Sequence, residues 1–159
     1  MTDPPTIHLG VSGRAASIVL LSRSLPEAAD DWSRDAIEAR IAVEADPFRG
    51  EFPTTLWSHE LVVLQRLMAE LYARVGNPEH AVFALREYTL RLEFILTAAG
   101  SLVVNVQVRP APAALVGLQY SFGADQSYPP LWIAEIEQVL AAFPLQMPAP
   151  APRDPLHVD

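Results

Sequence analysis

Cysteine and lysine are both missing from the 159 residues of this chain. Without cysteine there is no disulfide, no thiolate nucleophile and no Cys-based zinc site, so stability must come from packing. Without lysine there is no Schiff-base amine and no phosphate-loop lysine. The 11 basic residues are all arginine, against 19 acids, for a formal charge of -8. That balance argues against a nucleic-acid binder, because phosphate contacts need clustered cations, and it suits either a basic partner or simple solubility. No apolar run reaches the roughly 18 residues needed to span a bilayer. The first residues, MTDPPTIHLG, lack the basic stretch followed by an apolar segment that marks a secretory signal. A cytoplasmic protein with no membrane partner is the expectation.

What is present is apolar and periodic. Half of the chain is hydrophobic, and a chain of this size buries about 70% of the surface its unfolded form exposes. The stretch AASIVLLS, Ala15 to Ser22, reads as a strand paired with a short one around Ile7 to Leu9 across a turn at Gly10 to Gly13. LPEAADDW follows as an acidic, helix-breaking link. Ile37, Ala39, Ile41, Val43 and Ala45 then alternate with Glu38, Arg40, Ala42 and Glu44, the period of two of a half-buried strand. EFPTTLW continues as an edge strand. Ser58 precedes HELVVLQRLMAELYARVG, in which Leu61, Leu64, Leu67, Met68, Leu71 and Val75 recur at helical steps. Ser58 suits a cap, Glu60 the positive end of the dipole, and Gly76 the left-handed stop.

The period of two returns after Asn77 and Pro78. AVFAL, then Leu90 to Leu96, Leu102 to Val108 and Val116 to Phe122 have connections too short for helical crossovers, which predicts an antiparallel meander. Leu131 to Phe143 is a second amphipathic helix. The expected fold is α+β, one antiparallel sheet of six or seven strands with two helices, near residues 59–75 and 130–142, packed on one face. Glu38, Arg40, Arg91, Glu93, Asn105, Gln107, Gln119 and Ser121 would occupy the bare face. Residues 1–144 read as one domain and residues 145–159 as a Pro-rich, disordered tail.

Candidate chemistry is sparse. His59 and Glu60 match the start of a zinc-protease helix, but the second histidine that motif needs is Val63. His8, His59, His80 and His157 lie in unrelated segments without metal-ligand spacing and read as surface residues. GVSG lacks a phosphate loop's context, and no serine sits in a Gly-x-Ser-x-Gly elbow. Glu87 with Glu93, and Glu135 with Glu137, are carboxylate pairs, but the second pair diverges on its helix and the first leans to solvent. No catalytic residue, metal site or cofactor is predicted. Aromatics among carboxylates are the better lead: Asp30 and Asp31 precede Trp32, while Glu44, Asp46 and Glu51 surround Phe48 and Phe52. Such a patch can bind protein, since aromatics anchor interfaces and acidic rims steer basic partners.

The stretch GADQSYPPLW joins an alternating run to a helical one. Asp125 or Ser127 can cap the helix, Pro129 or Pro130 can occupy its first turn, and Tyr128 can pack on Trp132 four residues on. From about Asp30 to Pro144 the chain resembles the WapI-type immunity proteins, bacterial antidotes to contact-dependent or polymorphic toxins. The resemblance rests on DDW, FRGEFPTTLWSHEL, LEFILTAAGSLVVNV and LQYSFGADQSYPPLWIAEIEQVLAAFP. Its most specific part is Asp125, Gln126, Ser127 and Tyr128 after an alternating strand, a motif whose role looks structural. Where the family places leucine after the tyrosine, this chain has Pro129 and Pro130. The resemblance implies a non-enzymatic, cytoplasmic protein that occludes one cognate toxin domain stoichiometrically. A basic toxin domain such as a nuclease suits the acidic charge. The alternatives are an enzymatic or small-ligand-binding α+β domain, which needs convergent polar groups in a pocket, and a structural module that self-associates through a sheet edge. Oligomeric state, toxin and contact residues stay open.

Overall fold

In the computed structural model, which describes residues 2–111 and 113–146, the chain begins with a hairpin. Strands β1 (Thr6–Val11) and β2 (Arg14–Arg23) are joined through Ser12 and Gly13. Gly13 has φ +78°, a conformation that a side chain disfavours, so the expected turn falls where the glycine permits it. After a short helix α1 (Asp31–Arg34), strands β3 (Ala36–Ala45) and β4 (Phe48–Trp57) complete a four-stranded antiparallel meander. Helix α2 (Ser58–Ala73) follows. Strands β5 (Glu79–Ala84), β6 (Leu90–Leu96), β7 (Leu102–Val108) and β8 (Leu118–Ala124) form a second four-stranded meander, and helix α3 (Tyr128–Ala142) closes it.

The architecture is thus α+β, with two antiparallel sheets in place of the single sheet expected, and three helices in place of two. Alternation reveals which side of each strand is buried, and short turns reveal neighbours. Neither says whether β5, on the far side of a 16-residue helix, rejoins β4 or starts a new sheet. The same pattern occurs twice: a meander of four strands, then a helix. Two smaller corrections follow. The supposed helix-breaking link carries α1, because Asp30 caps it by accepting from the Ser33 N–H at 2.8 Å. Val116 lies outside β8 and is 74% exposed, its alternation with Leu118 being accidental.

Both sheets and both long helices share one core. Leu61, Leu64, Leu67, Met68 and Leu71 line the buried side of α2, each side chain stabilising the fold by about 1.5–3 kcal/mol relative to exposure. On α3, Trp132, Ile136 and Val139 are buried, and α2 and α3 pack on each other. The sheets meet where β8 approaches β1 and β2. There the Tyr120 hydroxyl donates to the Ala15 carbonyl at 2.6 Å, and Arg14 donates to the Ser121 carbonyl at 2.9 Å. The Glu135 carboxylate of α3 accepts from the His8 backbone N–H at 2.7 Å, which occupies a donor on the β1 edge that another strand could otherwise use. Of the expected tail, residues 147–159 lie outside the described residues, while the Gln146 N–H donates to the Asp35 carboxylate at 2.7 Å.

Candidate functional site

The eight residues expected to form a partner-binding patch fall into two groups, one at each end of β3. Asp30, Asp31 and Trp32 precede its first residue. Glu44, Asp46, Phe48, Glu51 and Phe52 surround its last. The strand has 10 residues, so at about 3.3 Å per residue its two ends lie on the order of 30 Å apart, with Glu51 and Phe52 opposite Ala42 and Ile41 nearer its middle. The groups are two surfaces.

At the Trp32 end the aromatic belongs to a packed stack. Its ring lies 5.2 Å from that of Trp57 and 5.0 Å from that of His59. The Arg86 guanidinium sits 4.7 Å over Trp32 and 5.7 Å from Trp57. Asp31 pairs with Arg34. Asp30 has its pKa held down, first by the Ser33 backbone N–H that it accepts. Beneath the stack, Asp35 is fully buried and pairs with Arg23 at 3.4 Å. Arg23 also donates to Ser58 Oγ at 2.8 Å and to the Pro144 carbonyl, and its guanidinium lies 5.7 Å from the Phe143 ring. Ser58 in turn donates to the Phe143 carbonyl at 3.0 Å. The serine expected to cap α2 instead ties its start to the end of α3, and Glu60 satisfies the Trp57 N–H at 2.8 Å. Glu60 also accepts from the Arg86 N–H at 2.5 Å. Burial raises its pKa, against the pull of those two donors.

His59 was expected on the surface but is half-buried in this stack, and its Nδ1 has no hydrogen-bond partner among the described residues. Burial lowers its pKa, the Asp35 charge opposes that, and Arg86 adds to it. Arg86 and Trp57 were not singled out in the sequence. Their signal was weak, because an arginine in a turn and a tryptophan at a strand end announce a contact only once the fold brings them together.

The other end of β3 is a hairpin tip. Phe48 is 64% exposed, while Phe52 is half-buried and packs against the core. The acids around Phe48 are partly neutralised: Arg49 pairs with Glu44 at 3.1 Å and Asp46 at 3.5 Å, and Arg40 with Glu51 at 3.5 Å. Phe48 is an exposed aromatic at the hairpin tip, while Glu44, Arg49, Glu51 and Arg40 follow the register of the other face of the same two strands.

Asp125 to Tyr128 form the corner between β8 and α3. Asp125 accepts from the Ser127 N–H at 2.8 Å and hydroxyl at 2.5 Å, which holds its pKa down. Pro129 and Pro130 sit in the first turn of α3, where a missing N–H costs little. Tyr128 packs on Trp132 at 5.9 Å, and Trp132 meets Phe122 edge-on at 6.3 Å. Gln126 lies beside Gly100 in the β6–β7 turn and, with Leu71 and Val75 of the α2 end, lines a small cleft. These contacts hold strand, helix and turn together.

Of the two carboxylate pairs, Glu93, Glu135 and Glu137 are each engaged with a different partner. Glu93 accepts from His80 at 2.7 Å and Asn105 at 2.9 Å, which lowers its pKa. Glu135 holds the β1 edge, and Glu137 accepts from Gln65 of α2 at 3.4 Å. The polar residues expected on one bare face are split between the sheets, Glu38 and Arg40 on the first and the remainder on the second. An open groove of about 440 Å³ lies on the second sheet between Tyr88, Arg91, Gln107, Arg109, Leu118 and Gln119. Among the described residues no three His, Asp or Glu side chains group as metal ligands, and no helix is long and apolar enough to cross a membrane.

These features define a class: a twofold-repeated meander-and-helix α+β protein whose distinctive side chains stand in surface aromatic and charged groups. The chain belongs to the immunity protein WapI-like family, whose family model matches residues 7–144. That span takes in both meanders, α2, α3 and the Asp125–Tyr128 corner. Comparison with the curated proteins gives no match.

Proposed function

We propose that this chain is an immunity protein that binds one cognate toxin domain and neutralises it by stoichiometric occlusion, with no chemistry of its own. Membership of the family across residues 7–144 carries the reading. The partner is a basic domain, such as a nuclease, that meets the protein in the cytoplasm; the formal charge of -8 supports this choice. Phe48 is the proposed anchor, with Glu44, Asp46 and Glu51 as its steering rim. Asp30, Asp31 and Trp32 support this surface from a distance by holding the chain entering β3. The test is co-expression of the chain with the toxin domain encoded beside it. Rescue of growth together with a one-to-one complex in solution is the expected result. Rescue without a complex, or turnover of a substrate by the purified chain, would overturn it.

A further inference from the structure

The outer face of the second sheet carries two neighbouring polar rows with opposite character. In one, Glu93, Asn105 and Ser121 stand side by side on β6, β7 and β8 and satisfy one another: Asn105 donates to Glu93 at 2.9 Å and Ser121 donates to Asn105 at 2.7 Å. His80 extends the row by its bond to Glu93. The next row, Arg91, Gln107 and Gln119, is in register across the same strands. None of its side chains has a hydrogen-bond or ion-pair partner among the described residues, and neither does that of Arg109 beside it.

This open row forms the floor of the 440 Å³ groove, with Tyr88 on one wall. Tyr88 is 74% exposed and stands at φ +54°, a left-handed conformation uncommon for an aromatic. Leu115 and Val116, both strongly exposed, precede Gly117 on the β8 side. Five other arginines, Arg23, Arg34, Arg40, Arg49 and Arg74, each pair with a carboxylate, whereas Arg66 stands by itself on α2 without an ion pair among the described residues. Among the described residues Arg91 and Arg109 thus line one groove without an ion pair, and the charge acting on Arg91 is that of Glu93 in the neighbouring row.

We infer that this groove takes a carboxylate-bearing segment of the protein partner, as a second contact surface separate from the Phe48 hairpin. Guanidinium groups donate to carboxylates in a two-point fork, and the carboxamides of Gln107 and Gln119 add donors on the same face of the sheet. Tyr88 and Leu118, which line the groove, supply apolar flanks for the residues between the acids. Nucleic acid is the poorer occupant, because two cations on a strongly acidic protein attract a polyanion little. The inference rests on the toxin-binding reading for the source of the segment, but the groove's preference for carboxylates is tested without any toxin.

The probe is a blocked tetraglutamate peptide titrated into the isotopically labelled full chain, with blocked tetraglutamine as the neutral control. Expected are amide shift changes confined to residues lining the groove and to the Gln107 and Gln119 carboxamides, and none with the control. Arg91→Gln with Arg109→Gln should weaken binding about tenfold through loss of two charge-assisted contacts, while Arg66→Gln on α2 leaves it unchanged. Arg91→Lys with Arg109→Lys keeps the charge but loses the two-point fork and should bind between the unchanged chain and the double glutamine variant, and an unchanged spectrum elsewhere shows that each variant is folded. Shifts spread over every arginine, equal loss in Arg66→Gln, or full binding by the double glutamine variant would overturn the inference. So would a concentration-dependent dimer that the double variant abolishes, because the groove would then be a contact between copies. A chain that rescues cells but ignores the peptide keeps the immunity reading and loses this one. The converse outcome does the reverse.

Discussion

Trp32 and Trp57 stack at 5.2 Å between ring centroids, joining the short helix before β3 to the residue that ends β4 and precedes α2. The contact lies where Ala36 and Trp57 pair at the end of the first sheet, and Arg86 from the β5–β6 turn closes over it. One aromatic pair thus connects both meanders.

Trp32→Ala should therefore act on folding. Both rings are half-buried, so the loss falls somewhat below that of a core tryptophan, about 2–3 kcal/mol, including the stack and the cation over it. Denaturant unfolding at equilibrium measures it. An unchanged midpoint, with faster release of the toxin, would make Trp32 a contact residue instead.

His59 gives a pH signature. Its folded pKa lies below the unfolded value of 6.5, chiefly because burial disfavours the imidazolium. As pH falls through 6.5 the unfolded chain takes up the proton first, so stability declines until the folded pKa is passed. Above 6.5 both states hold a neutral ring and the contribution is flat. The thermal midpoint should fall on acidification in that window, and His59→Gln should reduce the slope. A slope identical in the variant would assign the effect to other groups.

The buried ion pair and the chain end that covers it form a third case. Arg23→Met removes the guanidinium that lies 3.4 Å from the fully buried Asp35 carboxylate and should cost about 1.5–3 kcal/mol, the range of a hydrogen bond to a charged group. Gln146→Pro removes the N–H bonded to the same carboxylate, a loss of about 1.5 kcal/mol. Ending the chain after Gln146 should change stability by no more than about 0.5 kcal/mol, the range of surface changes. A larger loss in the shortened chain would show that the Pro-rich segment docks.

The parts that could be read from sequence were those whose physics is local. Alternation placed β3, β6 and β7, and helical spacing placed α2, because burial on one side imposes its period directly, although the helix ends at Ala73, before Val75 and the glycine expected to stop it. The corner at Asp125 was legible in part: its bonds reach only to Ser127, but neither side chain caps the amides of α3 as expected. The division into two sheets was not, because it depends on where a chain returns after a helix. Nor was the Trp32 stack, whose members stand 25 to 54 residues from Trp32 in sequence, at Trp57 and Arg86. Asp30 and Asp31 looked like a steering patch, but the first caps a helix and the second pairs within it. Charge in a loop does not disclose whether it is already engaged.

The hairpin tip carries the last prediction. Glu44, Asp46 and Glu51 are exposed enough to act at a distance, and each pairs with Arg49 or Arg40 along the same hairpin. If the toxin is basic, these charges raise the rate of encounter more than they set the lifetime of the complex. Association should slow as salt rises, since charges further apart than about 8 Å are screened at physiological ionic strength, and dissociation should change less. Neutralising the three acids together, as Glu44→Gln, Asp46→Asn and Glu51→Gln, should lower the on-rate about tenfold and flatten its salt dependence while the fold persists. Phe48→Ala should do the opposite, leaving the on-rate and raising the off-rate, because a desolvated aromatic anchor acts once the surfaces have met. Stopped-flow association at several salt concentrations, with dissociation by competition, separates the two. Equal effects of both variants on the off-rate alone would show that the acids are contacts, and no effect of either would move the toxin's site away from this hairpin.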